Sequence, residues 1–138
     1  LWLGVNGGDS TNANVSLAFA DPVAFRSKNQ VDYLVSDTAA TTKIIDLSAA
    51  NYFKYTLSAT TAFTFNNAPA SGNVFSVTVI AIQDSGGSRG VSFSNTIYWA
   101  GGAIPPATTT SNAKDVWNFV TYDGGSTFIG SLAVKDAR

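Results

Sequence analysis

The sequence predicts an all-β fold, an antiparallel β-sandwich or jelly-roll-like body preceded by an extended N-terminal arm. Three observations predict it. The chain has no Glu, no Met and little Leu, Lys or Arg, so the strongest helix formers are scarce, while Thr, Val, Phe, Tyr and Ile, which suit a pleated surface, are plentiful. Apolar and polar residues alternate over several runs of strand length. Between those runs stand clusters of Gly, Asn, Asp and Pro with turn chemistry. With 138 residues, 45% of them hydrophobic, the chain can bury one core of ordinary size.

Residues 1–41 are expected to form an N-terminal arm or small β extension and 42–138 the β-sandwich body. In the arm, Leu1 to Val5, Val15 to Ala20 and Val31 to Ser36 are short apolar runs separated by Asn6-Gly7-Gly8-Asp9-Ser10-Thr11-Asn12 and by Asp21-Pro22, with no period across Val23 to Gln30. Thr38 to Thr42 reads as a hinge. From Asn51 to Ser58, Phe53, Tyr55 and Leu57 alternate with Tyr52, Lys54 and Thr56, a strand with one wet face. The alternation resumes through Phe63 and Phe65 and stops in the loop Asn66 to Asn73. Val74 to Ile82 is apolar on both alternating sets and is expected to be a central strand covered on two sides. Asp84-Ser85-Gly86-Gly87-Ser88 predicts a tight reversal, with Arg89 to Phe93 returning antiparallel as a hairpin. Ile97-Tyr98-Trp99 runs into a connection containing Pro105-Pro106, which cannot donate to a ladder. Val116 to Tyr122 and Ser126 to Val134 flank Asp123-Gly124-Gly125, a second hairpin, bringing the total to about eight main strands.

Composition also narrows the chemistry. With no His and no Cys, the chain cannot build a Cys/His zinc site, a thiolate nucleophile, a disulfide, a haem axial ligand or a Ser-His-Asp triad, and no cofactor is expected. Charged residues are 12% of the chain, about half the usual share. A formal net charge of -1 without a Lys/Arg cluster argues against nucleic acid and anionic membrane as partners. No apolar run approaches the ~20 residues that span a bilayer, and no basic segment precedes an apolar one as in a signal peptide. The first residue is Leu1, as expected of a processed start or of one part of a longer polypeptide.

Taken in order, Ile45-Asp46-Leu47-Ser48-Ala49-Ala50-Asn51-Tyr52-Phe53, Phe63-Thr64-Phe65-Asn66-Asn67-Ala68-Pro69 and Val77 to Asp84 with Gly86-Gly87 form the first half of a series. Ile97-Tyr98-Trp99-Ala100-Gly101-Gly102 with Pro105, Asp115 to Thr121 and Asp123-Gly124-Gly125-Ser126-Thr127-Phe128 complete it. The series resembles tail-fibre-like domains of tailed-phage virion proteins over about residues 43–131. It departs from their pattern at Ser92-Phe93-Ser94, where a Trp-Pro pair is usual, at Ala100, which replaces a proline, and at Phe128, which replaces a tryptophan. The resemblance implies a non-catalytic β-sandwich module of a virion fibre or appendage. Its partners would be copies of itself in a homotrimer, other virion proteins and, at a receptor-binding tip, host surface glycan. A capsid decoration or head-fibre protein, and a carbohydrate-binding module of a larger secreted protein, are the alternatives.

Trp99 and Tyr98, beside the Gly-Gly/Pro-Pro loop, are the candidate ligand-binding residues, because an aromatic face fits a pyranose and a phenol adds a polar handle. A structural reading competes with this one: Trp99 tucked under its own loop and Trp117 alternating with Phe119 are both accounted for by a core. Trp2 is expected to anchor the arm to its own body or to a partner chain. Asp9, Asn12 and Asn14 offer oxygens but lack the ligand density of an EF-hand loop, so no metal site is expected. Asp115 and Asp123 would serve as a glycosidase pair only within the short separations that chemistry uses, and both have turn or strand-start reasons to exist. Gly86 to Gly90 follows no strand-to-helix pattern that could cradle phosphate.

Overall fold

The computed structural model describes residues 33–138. Most of the expected arm, with Trp2, Asp9, Asn12 and Asn14, lies outside the described residues. The described chain is all-β: β1 (Leu34–Ala39), β2 (Thr42–Asp46), β3 (Tyr52–Leu57), β4 (Thr61–Asn66), β5 (Phe75–Gln83), β6 (Val91–Phe93), β7 (Ile97–Trp99), β8 (Lys114–Thr121) and β9 (Phe128–Ala137), with one 3-10 turn at Ala100–Gly102. Six strands form one sheet in the order β1-β3-β5-β8-β9-β7, and three form another in the order β2-β4-β6.

The pairing corrects the antiparallel expectation. Five of the seven strand pairs are parallel, and only β8 runs against its neighbours β5 and β9. The physical reason lies in the links. Parallel neighbours need a crossover of about a dozen residues, and the 40–51 segment between β1 and β3 supplies it by passing through the other sheet as β2. β4 serves the same purpose between β3 and β5, and β6 carries the chain from β5 to β7, which stand apart in the six-stranded sheet. A period-2 pattern looks the same in both pairing senses, so alternation alone could not distinguish them.

The sheet-switching corners stack on one another. Ser58 N donates to Ala39 O, Ala62 N to Thr41 O, and Thr61 N to Gly90 O, each at 2.9 Å. The buried Thr61 hydroxyl lies 2.6 Å from Ala40 O, and Gly90 N donates to Thr60 Oγ1 at 3.1 Å. Small hydroxyl residues at 58, 60 and 61 satisfy corner backbone that a ladder cannot reach.

The arm-body boundary also moves. Leu34–Ala39 pairs residue for residue with β3, and Ala39 is fully buried, so the expected hinge at Thr38 to Thr42 is a packed corner of the body. Likewise, Arg89 to Phe93 does not return along β5. Its strand β6 joins β4 in the other sheet, and the loop after β5 is a crossing between sheets. Gly87 is needed there because, at φ +62, a Cβ would lie 2.6 Å from Thr109 O. The Asp123-Gly124-Gly125 hairpin forms between β8 and β9 as expected, both glycines having positive φ.

The inner faces of the two sheets meet in an aromatic core. Phe65 of β4 lies 4.9 Å from Phe119 and 4.8 Å from Phe128 between ring centroids, and Phe93 of β6 lies 4.7 Å from Phe119 and 5.5 Å from Trp117. Most of these contacts are edge-on or tilted, the arrangements that ring quadrupoles favour. Asn95 continues the edge where β6 ends: its side chain accepts from Phe65 N at 2.7 Å and donates to Phe65 O at 3.1 Å, standing in for one more strand residue. At the other open edge, Asp37 and Lys43 form an ion pair, with Lys43 Nζ 5.4 Å from the centre of the Tyr55 ring. Charges placed there discourage further strands from adding.

Gly130 of β9 lies under Trp99 and Ile97, where a Cβ would come within 2.7 Å of Trp99 Cζ3 and 2.8 Å of Ile97 Cγ2. Gly130→Ala is therefore expected to lower stability by about 1–3 kcal/mol through overpacking. Chemical denaturation checks this, and an unchanged midpoint would contradict the close packing of β7 on β9.

Candidate functional site

The outward side chains of the six-stranded sheet form four rows that follow the strand register. Ser76, Val120, Ile129 and Tyr98 make the first, and Leu34, Tyr52, Thr78, Asn118 and Ser131 the second. Ser36, Lys54, Ile80, Val116 and Val134 make the third, and Thr38, Thr56, Ile82 and Lys114 the fourth. Thr78 Oγ1 donates to Asn118 Oδ1 at 3.0 Å, joining the middle of the second row. Two lysines and no carboxylate stand in the four rows.

This surface is apolar for an exposed one. Tyr98 is 62% exposed, Ile129 and Leu34 54%, Val134 44% and Tyr52 39%, while Ile80, Ile82, Val116 and Val120 are half-buried. The two apolar sets of β5 were expected to be covered on both sides. The inner set, Val77, Val79 and Ala81, is buried, whereas the outer set keeps partial exposure. The double apolar pattern of Val74 to Ile82 was the available signal for this surface, and it read as burial because alternation cannot say what covers the second face.

Trp99 and Tyr98 part company because successive strand residues face opposite ways. Trp99 points inward, half-buried, 5.7 Å from Trp117, 5.8 Å from Phe119 and 5.9 Å from Phe93 between ring centres. Tyr98 points outward at the β7 edge. Of the two candidates, Tyr98 alone presents most of its ring to a ligand.

Asp115 and Asp123 do not come together. Six residue steps of β8 separate Asp115 from Thr121, about 20 Å at ~3.3 Å per residue, and Asp123 lies beyond that end. Glycosidase carboxylates work within about 10 Å. Asp115 is buried and accepts hydrogen bonds from Thr108 N at 2.6 Å and Asp136 N at 3.0 Å. Gln83, also buried, donates to Thr108 O and Arg89 O and accepts from Arg89 N. These two side chains tie the 84–90 loop, the 103–112 loop and the end of β9 into one corner. Sequence reasoning missed Gln83, although it continues the inward series Val77, Val79, Ala81.

Asp84 and Asp123 are set for turn formation, and Asp37 and Asp46 hold partners from their strands. Asp123 is held below its ordinary pKa chiefly by the Thr127 hydroxyl, then by Thr127 N; Asp84 is held down first by its bond to the Arg89 guanidinium. Asp46 is lowered by Ser48 and Asn67, and Asp37 by Lys43. A carboxylate with a depressed folded pKa contributes stability above its unfolded pKa, near 3.8, and loses it as pH falls through the folded value. The denaturation midpoint is thus expected to hold from neutral pH to about 4 and fall below that. Asp123→Asn should lower the midpoint at neutral pH and shrink the acid drop, and an acid drop equal to wild type would contradict this role. Among the described residues no group of three or more His, Cys, Asp or Glu is placed to hold a metal ion.

The arrangement offers a largely uncharged, partly apolar sheet face backed by an aromatic core. Compared with known protein families, curated proteins and solved structures, the chain finds no match.

Proposed function

We propose that this chain is a non-catalytic structural module of a bacteriophage virion, a β-sandwich-like unit of a tail fibre or appendage that works as a homotrimer. The ordered series from Ile45 to Phe128, with its resemblance to tail-fibre-like domains, supports the virion reading. The observation that carries the structural role is the acid-free, apolar outer face of the six-stranded sheet, a surface suited to contact and poor in reactive groups. Other virion proteins are its neighbours in this reading, and host surface glycan is the ligand where the module stands at a tip, with Tyr98 as the exposed aromatic. Peptide mass spectrometry of purified particles tests the reading. Peptides of this chain at a copy number divisible by three are expected, and their absence from particles made in cells that express the chain would overturn it.

A further inference from the structure

We infer that the corner built on Asp115 holds a calcium ion, with Asp136 and Thr108 as the other side-chain ligands. Asp115 is 3% exposed and, among the described residues, has no ion-pair partner, whereas Asp37, Asp84 and Asp136 each have one. Its charge meets only two backbone N–H groups, those of Thr108 at 2.6 Å and Asp136 at 3.0 Å. A buried carboxylate without a counter-charge is costly.

A second observation is independent of that charge. Among the described residues three buried side-chain polar atoms have no hydrogen-bond partner, and two of them are Thr108 Oγ1 and Asp136 Oδ1. Thr108 is only 7% exposed. These two residues are the ones whose N–H groups clasp Asp115, so each orphaned oxygen is held within a side chain's reach of the carboxylate. Arg138 donates to Asp136 Oδ2 at 2.7 Å and leaves Oδ1 without a partner. Buried oxygens in this condition call for an occupant, water or an ion.

The chemistry of the set selects the ion. An ionised carboxylate offers about four lone-pair sites, and one N–H on each Asp115 oxygen leaves the others free. The unused groups are all oxygens and belong to two carboxylates and a hydroxyl, a set that suits a hard cation. Calcium accepts about 6–8 oxygens in flexible geometry, completed by waters, whereas magnesium demands a near-ideal octahedron. With only two carboxylates the affinity belongs in the weak range, with Kd about 10⁻⁴–10⁻³ M. The ion ties the 103–112 loop and the end of β9 to β8, a role that goes beyond the proposed function and does not depend on it.

Thermal unfolding of the full chain, followed by far-UV circular dichroism in EDTA, calcium chloride or magnesium chloride, tests the inference. Calcium at about 10 mM, well above that Kd, should raise the wild-type midpoint by at least about 4 °C over EDTA, and magnesium by less than half as much. Asp136→Asn and Thr108→Val, the second of which keeps the side chain's shape, should each remove the calcium shift and leave the spectrum in EDTA unchanged. Terbium, a calcium substitute, should luminesce on tryptophan excitation of the wild type, because Trp117 follows Asp115 on the same inward side of β8. This readout keeps the test open if the variants fail to fold. No calcium shift in the wild type, an equal shift with magnesium, a full calcium shift in a folded variant, or no sensitised terbium emission would each overturn the site.

Discussion

Replacing Trp117 by alanine is expected to lower the unfolding free energy by about 3–5 kcal/mol, the usual range for removing a large buried aromatic. Trp117 is 0% exposed and is the largest fully buried side chain among the described residues. Its ring meets Phe93 and Trp99 edge-on and alternates along β8 with Phe119, so truncation opens a cavity where the two sheets join. The rings around it belong to separate strands and cannot all collapse into the space. A domain of this size has about 5–15 kcal/mol in total, so the variant should be partly unfolded near body temperature. Trp117→Phe provides the informative contrast. The indole Nε1 is buried with no hydrogen-bond partner among the described residues, and removing that donor offsets part of the lost volume. Its loss should be less than half that of the alanine variant. Guanidinium denaturation of the pair checks both, and equal losses would contradict the unpartnered indole.

The second large effect is expected at Asp115. Its two oxygens receive the backbone N–H groups of Thr108 and Asp136, which belong to the long loop and to the end of β9. Alanine would leave both donors without an acceptor at about 1–3 kcal/mol each, offset in part because a buried charge is also removed. A net loss of about 2–4 kcal/mol follows. Asparagine keeps one acceptor but turns a donor toward the other N–H, so it should recover only part of the loss. Amide hydrogen exchange is the decisive readout. Thr108 and Asp136 should lose protection together in Asp115→Ala, while Phe63 and Phe65 of β4 keep theirs. Unchanged protection at Thr108 would show that the carboxylate does not hold the loop.

Much of the body was legible in the residues. Phe53, Tyr55 and Leu57 point inward as their spacing indicated, and Asp123-Gly124-Gly125 makes its hairpin because the two glycines take the positive φ that the turn requires. Pairing sense was not legible. Inner-face residues at 35, 53, 79 and 117 would look the same in a parallel or an antiparallel neighbour, and the short links after β1 and β3 resemble hairpin turns until the second sheet receives them. The same blindness hid the true role of the loop at Asp84, whose Gly87 answers to the backbone at Thr109 and not to a returning strand.

For the candidate site, the 98–99 dipeptide shows how far the residues reach. Both aromatics were visible as ligand candidates, but only the pleat decides that Tyr98 faces out and Trp99 joins the core. The outer face itself is a property of register. Ile80, Val116 and Val134 are far apart in sequence and become one stripe only when β5, β8 and β9 align. Asp115 likewise shows its use only once Thr108 and the end of β9 are brought to it.

The most direct measurement is an electron cryomicroscopy reconstruction of intact particles that contain the chain. The expected result is three copies around an axis on a fibre or appendage. Isolated copies away from any three-fold axis, or particles without density for the chain, would contradict it.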